Sequence, residues 1–159
     1  MVGLTLAGPV VATDLDRVPL EPPVGRARHA YGSGPFARLR MPVLPDRAGV
    51  YVWASGDAAL YVGQTTGTLR ARLGSNGYST ISTYNTLARQ PGRTNGGQQT
   101  NCRINALANA HLLAGFSIEL WFVTTVAAEA RSAEAAFMTE HGLPPWNRAD
   151  RRSPVDPAL

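Results

Sequence analysis

The sequence predicts a mixed α/β domain, more narrowly α+β: a small, mostly antiparallel sheet of three strands flanked by helices. Two observations carry that expectation. Two β-rich runs, Val50–Ala54 and Leu60–Gly63, are split by the turn residues Ser55-Gly56-Asp57, the pattern of a hairpin. Downstream, stretches of helical periodicity alternate with one further β-rich run, Phe116–Val123.

Residues 1–44 are broken repeatedly by Pro and Gly, as in Glu21-Pro22-Pro23 and Gly32-Ser33-Gly34. They read as an extended arm with a short strand near Phe36–Met41. The domain proper spans residues 45–148. After the hairpin, a helix is expected from Gly67 to Leu73, with Leu69 and Leu73 one turn apart. A polar insert, residues 74–101, is rich in Asn, Gln, Gly, Ser and Thr and holds Tyr78, Tyr84, Arg89 and Arg93. A second helix, Arg103–Ala114, carries the apolar stripe Ile104, Leu107, Ala108 and Leu112, with Gly115 as its stop. After the third strand, Thr125 is placed to cap a last helix, Val126–His141, which Gly142, Pro144 and Pro145 terminate. Residues 149–159 read as a frayed tail.

Charge narrows the function classes. The net charge is +4, which favours polyanionic partners. All fifteen basic residues are Arg, a bias that a GC-rich genome also produces. Their distribution says more: residues 64–115 hold five Arg (70, 72, 89, 93 and 103) and no acid, whereas residues 116–159 hold four Arg and six acids. A positive middle third suits a phosphate backbone. No run approaches the ~18 apolar residues of a membrane span, and Met1–Val11 lacks the basic start of a signal peptide. The single Cys102 leaves no internal disulfide and fits a reducing cytoplasm, and one Cys beside three His gives no zinc pattern.

Several residues are candidates for chemistry. If the turn pairs odd positions with odd, Tyr51 lies across from Tyr61, and Gly63 leaves the surface beside them open. Two phenols facing a gap can position water or accept a proton; aromatic cross-strand pairs also arise for stability alone. On the last helix, Glu134 shares a face with Ala130, Phe137 and Met138. A carboxylate there needs a partner, either a divalent cation or an Arg at the edge of the core. Pro144-Pro145-Trp146 forms a rigid lead-in to Asn147. Arg70 and Arg72 flank the Leu69/Leu73 stripe equally, so periodicity leaves both open as phosphate ligands. His111 sits on an apolar stripe and reads as a core residue, with a phosphate contact as the alternative. Cys102, His29 and His141 form no constellation.

Together these pieces resemble the GIY-YIG nuclease superfamily: Gly49-Val50-Tyr51, a ten-residue step to Tyr61-Val62-Gly63, a Leu-x-x-Arg helix, a later helix with Glu134, and Pro-Pro-Trp-Asn. The resemblance covers roughly residues 46–148. It implies that Tyr51 and Tyr61 are the two catalytic tyrosines, that Glu134 holds one Mg²⁺ or Mn²⁺, and that Asn147 supports the site. It maps the catalytic Arg to Arg72; the step from Gly63 departs from the family pattern, so Arg70 stands as the alternative. The family's further His or Lys has only Asn76 and Tyr78 in the matching region.

The resemblance also implies a mechanism, in which Arg72 grips the scissile phosphate, Tyr51 deprotonates the attacking water with help from the metal or Arg, and Tyr61 orients it. In the insert, Arg89 and Arg93 suit phosphates and guanine edges and the Asn and Gln suit adenine edges, with Arg70 and Arg103 beside it as further nucleic-acid contacts. Tyr78 and Tyr84 are placed to stack on bases; a loop without function is the other reading. The expected partner is DNA, or RNA, and one site per chain favours a homodimer for cutting both strands.

Overall fold

The computed structural model describes residues 3–74, 77–90 and 97–147. In chain order the strands are β1 (Thr5–Pro9), β2 (Val11–Arg17), β3 (Phe36–Arg40), β4 (Gly49–Ser55), β5 (Ala58–Thr65) and β6 (Glu119–Thr124). The helices are α1 (Leu69–Leu73), α2 (Thr83–Thr86), α3 (Gln99–Leu113) and α4 (Ala130–His141), with single 3-10 turns at Ala127–Glu129 and Pro145–Asn147. No helix among the described residues is long and apolar enough to cross a membrane.

The mixed α/β class stands, but the main sheet has four strands rather than three: β1-β6-β4-β5, antiparallel at every pairing. The additional strand comes from the segment expected as an extended arm. β1 pairs with β6 (Thr5↔Phe122, Leu6↔Trp121), while β2 and β3 form a separate two-stranded ribbon. The Pro and Gly breaks mark turns between short strands. Those strands are half-exposed, so they carry little of the apolar alternation that identifies strands in a sequence.

The sheet has two covered faces. On one lie Tyr51, Trp53 and Tyr61 with Leu120 and Phe122, packed against Leu69 and Leu73 of α1, Ile104 and Ala108 of α3, the β2–β3 ribbon, and Trp146. On the other, Val50, Val52, Val62, Trp121 and Val123 receive Ala133, Phe137 and Met138 of α4. The apolar stripe expected on α3 is therefore core, as is the apolar face of α4. That helix begins later than expected: Thr125 makes no cap, and a 3-10 turn precedes it. The polar insert contains α2 and the first turn of α3, so much of it is ordered structure.

The chain leaves α4 on the valine face and returns around the outer edge of β5 to bury Trp146 against Trp53, ring centroids 6.4 Å apart. Asn147 closes this edge. Its Oδ1 accepts from the Val62 N–H at 2.9 Å and its Nδ2 donates to the Val62 carbonyl at 2.8 Å. The side-chain amide thus supplies the pairing that a further strand would give. Asn147→Ala is expected to lower stability by about 1–3 kcal/mol, because both backbone groups lose their partner; a fall in the thermal midpoint measures it.

Candidate functional site: an arginine held by phenols

The hairpin register differs from the expected one. The turn is the two-residue Gly56-Asp57, with Ser55↔Ala58, and a bulge follows Trp53. Tyr51 therefore pairs with Gly63, and Tyr61 pairs with Trp53. The two phenols still share a face, diagonally, with ring centroids 6.3 Å apart. The space beside Gly63 is not open: a Cβ there would lie 2.5 Å from Tyr51 Oη, so the missing side chain makes room for the Tyr51 ring itself.

Helix α1 resolves the choice between the two arginines. It is a single turn, capped by Thr68, whose Oγ1 accepts from Ala71 N–H at 3.1 Å. Leu69 and Leu73 are fully buried and fix its rotation. Arg70 points outward to an ion pair with Asp46, with both side chains exposed. Arg72, two residues on and so ~200° around the axis, turns into the tyrosine face. Its Nε donates to Tyr51 Oη at 3.3 Å, its Nη2 to Tyr78 Oη at 2.8 Å and its Nη1 to Asn101 Oδ1 at 3.0 Å. Tyr78 Oη also exchanges hydrogen bonds with Tyr51 at 2.9 Å and Tyr61 at 3.4 Å.

Tyr78 is thus a third phenol of the cluster. It is fully buried, which removes it as a base-stacking residue of an exposed loop. Its position is set by Asn105, whose Nδ2 donates to the Tyr78 carbonyl at 2.7 Å while its amide also pairs both backbone groups of Ala37. Asn101, Asn105 and Asn109 form a buried stripe on α3 at four-residue spacing. The third pairs its amide with Asp16, through the backbone N–H at 3.0 Å and the carboxylate at 3.2 Å. Sequence reasoning passed over all three, although three Asn in helical register beside an apolar stripe is a readable signal.

Electrostatics define what the cluster can do. Burial pushes the Tyr51 hydroxyl up to about 12, with Arg72 pulling only partly in the other direction. Burial raises Tyr78 well above the ordinary phenol value as well. At neutral pH a group at about 12 is ionised in roughly one molecule in 10⁵, and Tyr51 is 1% exposed. In this arrangement Tyr51 and Tyr78 hold Arg72. For Arg72 burial disfavours the charge, and the surrounding phenols outweigh that, so its pKa stands above the usual guanidinium value. No carboxylate among the described residues pairs with it.

Glu134 stands apart from this cluster. Its helix packs on the valine face, with the sheet between it and the phenols. The carboxyl is half-buried; desolvation raises its pKa, partly offset by Arg131. It forms no ion pair among the described residues, so it is available to a cation. No group of three or more His, Cys, Asp and Glu that could hold a metal is found among the described residues. A cation there would be held by one carboxylate and water, a set that suits hydrated Mg²⁺.

Among the remaining candidates, Tyr84 is half-exposed on α2 and Arg89 is exposed beyond it. Arg103 donates to the Trp146 carbonyl. Arg93 and Asn76 lie outside the described residues. His111 packs its ring against Phe116 and Trp146, at centroid distances of 4.9 and 5.8 Å, and burial lowers its pKa.

Fold and site together define a mixed α/β protein with a partly buried arginine clasped by three neutral side chains. Comparison with protein-family models, with curated proteins and with solved structures finds no match to this chain.

Proposed function

We propose that the chain is a metal-dependent endonuclease of the GIY-YIG type, hydrolysing phosphodiester bonds in DNA. One observation supports this above the others: the Arg72 guanidinium is held in fixed geometry by Tyr51, Tyr78 and Asn101 and has no carboxylate partner among the described residues. The surrounding phenols hold it charged, and no carboxylate among the described residues neutralises it. An anion that docks on Arg72 supplies the missing charge, and a guanidinium with its plane fixed can grip two phosphate oxygens at once.

In the proposed reaction Arg72 binds non-bridging oxygens of the scissile phosphate and stabilises the charge that develops in the transition state. Tyr51 and Tyr78 keep the guanidinium aligned. Tyr61, the least shielded phenol of the three at 7% exposure, orients the attacking water. Glu134 would hold Mg²⁺ or Mn²⁺, which when bound would acidify water and add charge at a phosphate. Because its helix packs on the other layer, against β4 and β5, that ion would share a phosphate with Arg72 only around the edge of β5. Asn147 keeps β5, and so Tyr61, in place.

A second reading has its own support. Because the helix of Glu134 lies on the opposite layer from the phenols, a nucleic-acid-binding module without cleavage would use the same arginine. Incubation with supercoiled plasmid and Mg²⁺, with and without chelator, separates the two. The nuclease nicks the plasmid only with the cation present. The binding module retards plasmid equally under both conditions and nicks under neither.

A further inference from the structure

Arg72 forms part of the wall of a cavity of about 520 Å³ between α1 and the first turn of α3. The residues that give it chemistry are Arg72, Arg89, Gln98, Gln99, Thr100 and Asn101, and no carboxylate among the described residues lines it. The hydrogen-bond roles in its wall follow from Arg72, which can only donate. Asn101 Oδ1 accepts from Arg72 at 3.0 Å, so the Asn101 amide must present its Nδ2 on the other side. That Nδ2 donates to the Gly77 carbonyl at 3.3 Å and to Gln98 Oε1. The amide oxygens of Asn101 and Gln98 are therefore each engaged within the wall. What Gln98 turns outward is its NH₂, a donor, and the two arginines add positive charge. The wall is cationic, a fit for a ligand that carries negative charge and acceptors.

We infer that this cavity is a second phosphate subsite, which holds the backbone phosphate next to the one gripped by Arg72 and so sets the path of a DNA strand across α3. The inference rests on the nucleic-acid reading of the Arg72 cluster. The volume lies within the ~300–1,000 Å³ of typical ligand sites and exceeds what a single free phosphate fills, as expected where a strand enters and leaves. Arg89 gives the subsite its outer charge, and Gln98 and Thr100 add neutral donors.

The test measures duplex DNA binding by fluorescence anisotropy over a series of salt concentrations, with chelator present so that no cleavage intervenes. Arg89→Gln, at an exposed position, is expected to weaken binding several-fold and to reduce the slope of log K against log salt by about 0.9, the loss of one phosphate contact. Thr100→Glu puts a carboxylate in the cavity and is expected to weaken binding tenfold or more. An acidic residue in the first turn of a helix favours the fold, so a weakened Thr100→Glu protein with an unchanged thermal midpoint reports on the ligand. Arg131→Gln, on α4 across the sheet, should leave affinity and slope unchanged. Wild-type affinity and slope in either cavity variant overturns the subsite and leaves the nuclease reading standing. Failure of the wild-type chain both to bind duplex DNA and to nick plasmid overturns the functional reading, and the subsite with it.

Discussion

Arg72→Met should abolish plasmid nicking, a loss of at least about 100-fold, while lowering the thermal midpoint only modestly. The activity loss follows from removing a fixed cation from the phosphate that is being cleaved, for which ~10²–10³-fold per stabilising group is usual. The stability expectation follows from the same geometry. The surrounding phenols outweigh the burial cost of the charge, so the change removes the hydrogen bonds to Tyr51, Tyr78 and Asn101 and costs about 1–3 kcal/mol. Tyr51, Tyr61 and Tyr78 keep hydrogen bonds to one another after the change. Arg72→Lys should also fail to restore activity, because one ammonium cannot reach Tyr51, Tyr78 and Asn101 in the plane that the guanidinium spans. A large drop in thermal midpoint with activity retained would instead make Arg72 a structural strut.

Glu134→Gln should abolish nicking and leave DNA binding in chelator unchanged. It should also stabilise the free protein at neutral pH, and the sign can be worked out. Burial raises the folded pKa of Glu134 above the ordinary carboxyl value, partly offset by Arg131. The unfolded chain therefore ionises this group more readily than the folded one. Its contribution is neutral well below the ordinary carboxyl pKa, where both states are protonated, and turns unfavourable as pH rises from there through the folded pKa. Gln cannot ionise, so the variant loses this part of the pH dependence and melts higher at pH 7; the half-exposed position keeps the gain small. Mg²⁺ should raise the midpoint of the wild type and leave that of Glu134→Gln unmoved, since a ligand that binds only the folded state stabilises it. Normal nicking by Glu134→Gln removes the carboxylate from the proposed site.

Local signals carried much of the fold. The hairpin was legible from two β-rich runs around turn residues, and the periodic Leu69/Leu73, Ile104/Ala108 and Ala130/Phe137 pairs identified helices that do bury those faces. The N-terminal strands were not legible, because half-exposed strands show no clear alternation and β1 gains its partner, β6, more than a hundred residues downstream. Tyr78 illustrates the same limit at the site. Among Gly, Ser and Asn neighbours it looks like a loop residue, yet Asn105 and the space around Trp53 and Arg72 draw it to 0% exposure.

The sequence by itself determined which chemistry was present: two tyrosines on alternating strand positions, an arginine beside a leucine stripe, a carboxylate on an apolar helix face, and an acid-free middle third. Those are properties of residue type and local period, and they hold wherever the chain goes. Only the tertiary structure decided which arginine turned inward, that a third phenol met it, and that the helix of Glu134 packs on the opposite layer. The register of one bulged hairpin, the rotation of one short helix and the layer chosen by α4 are fixed by packing between distant segments, and no local window contains both sides of such a contact.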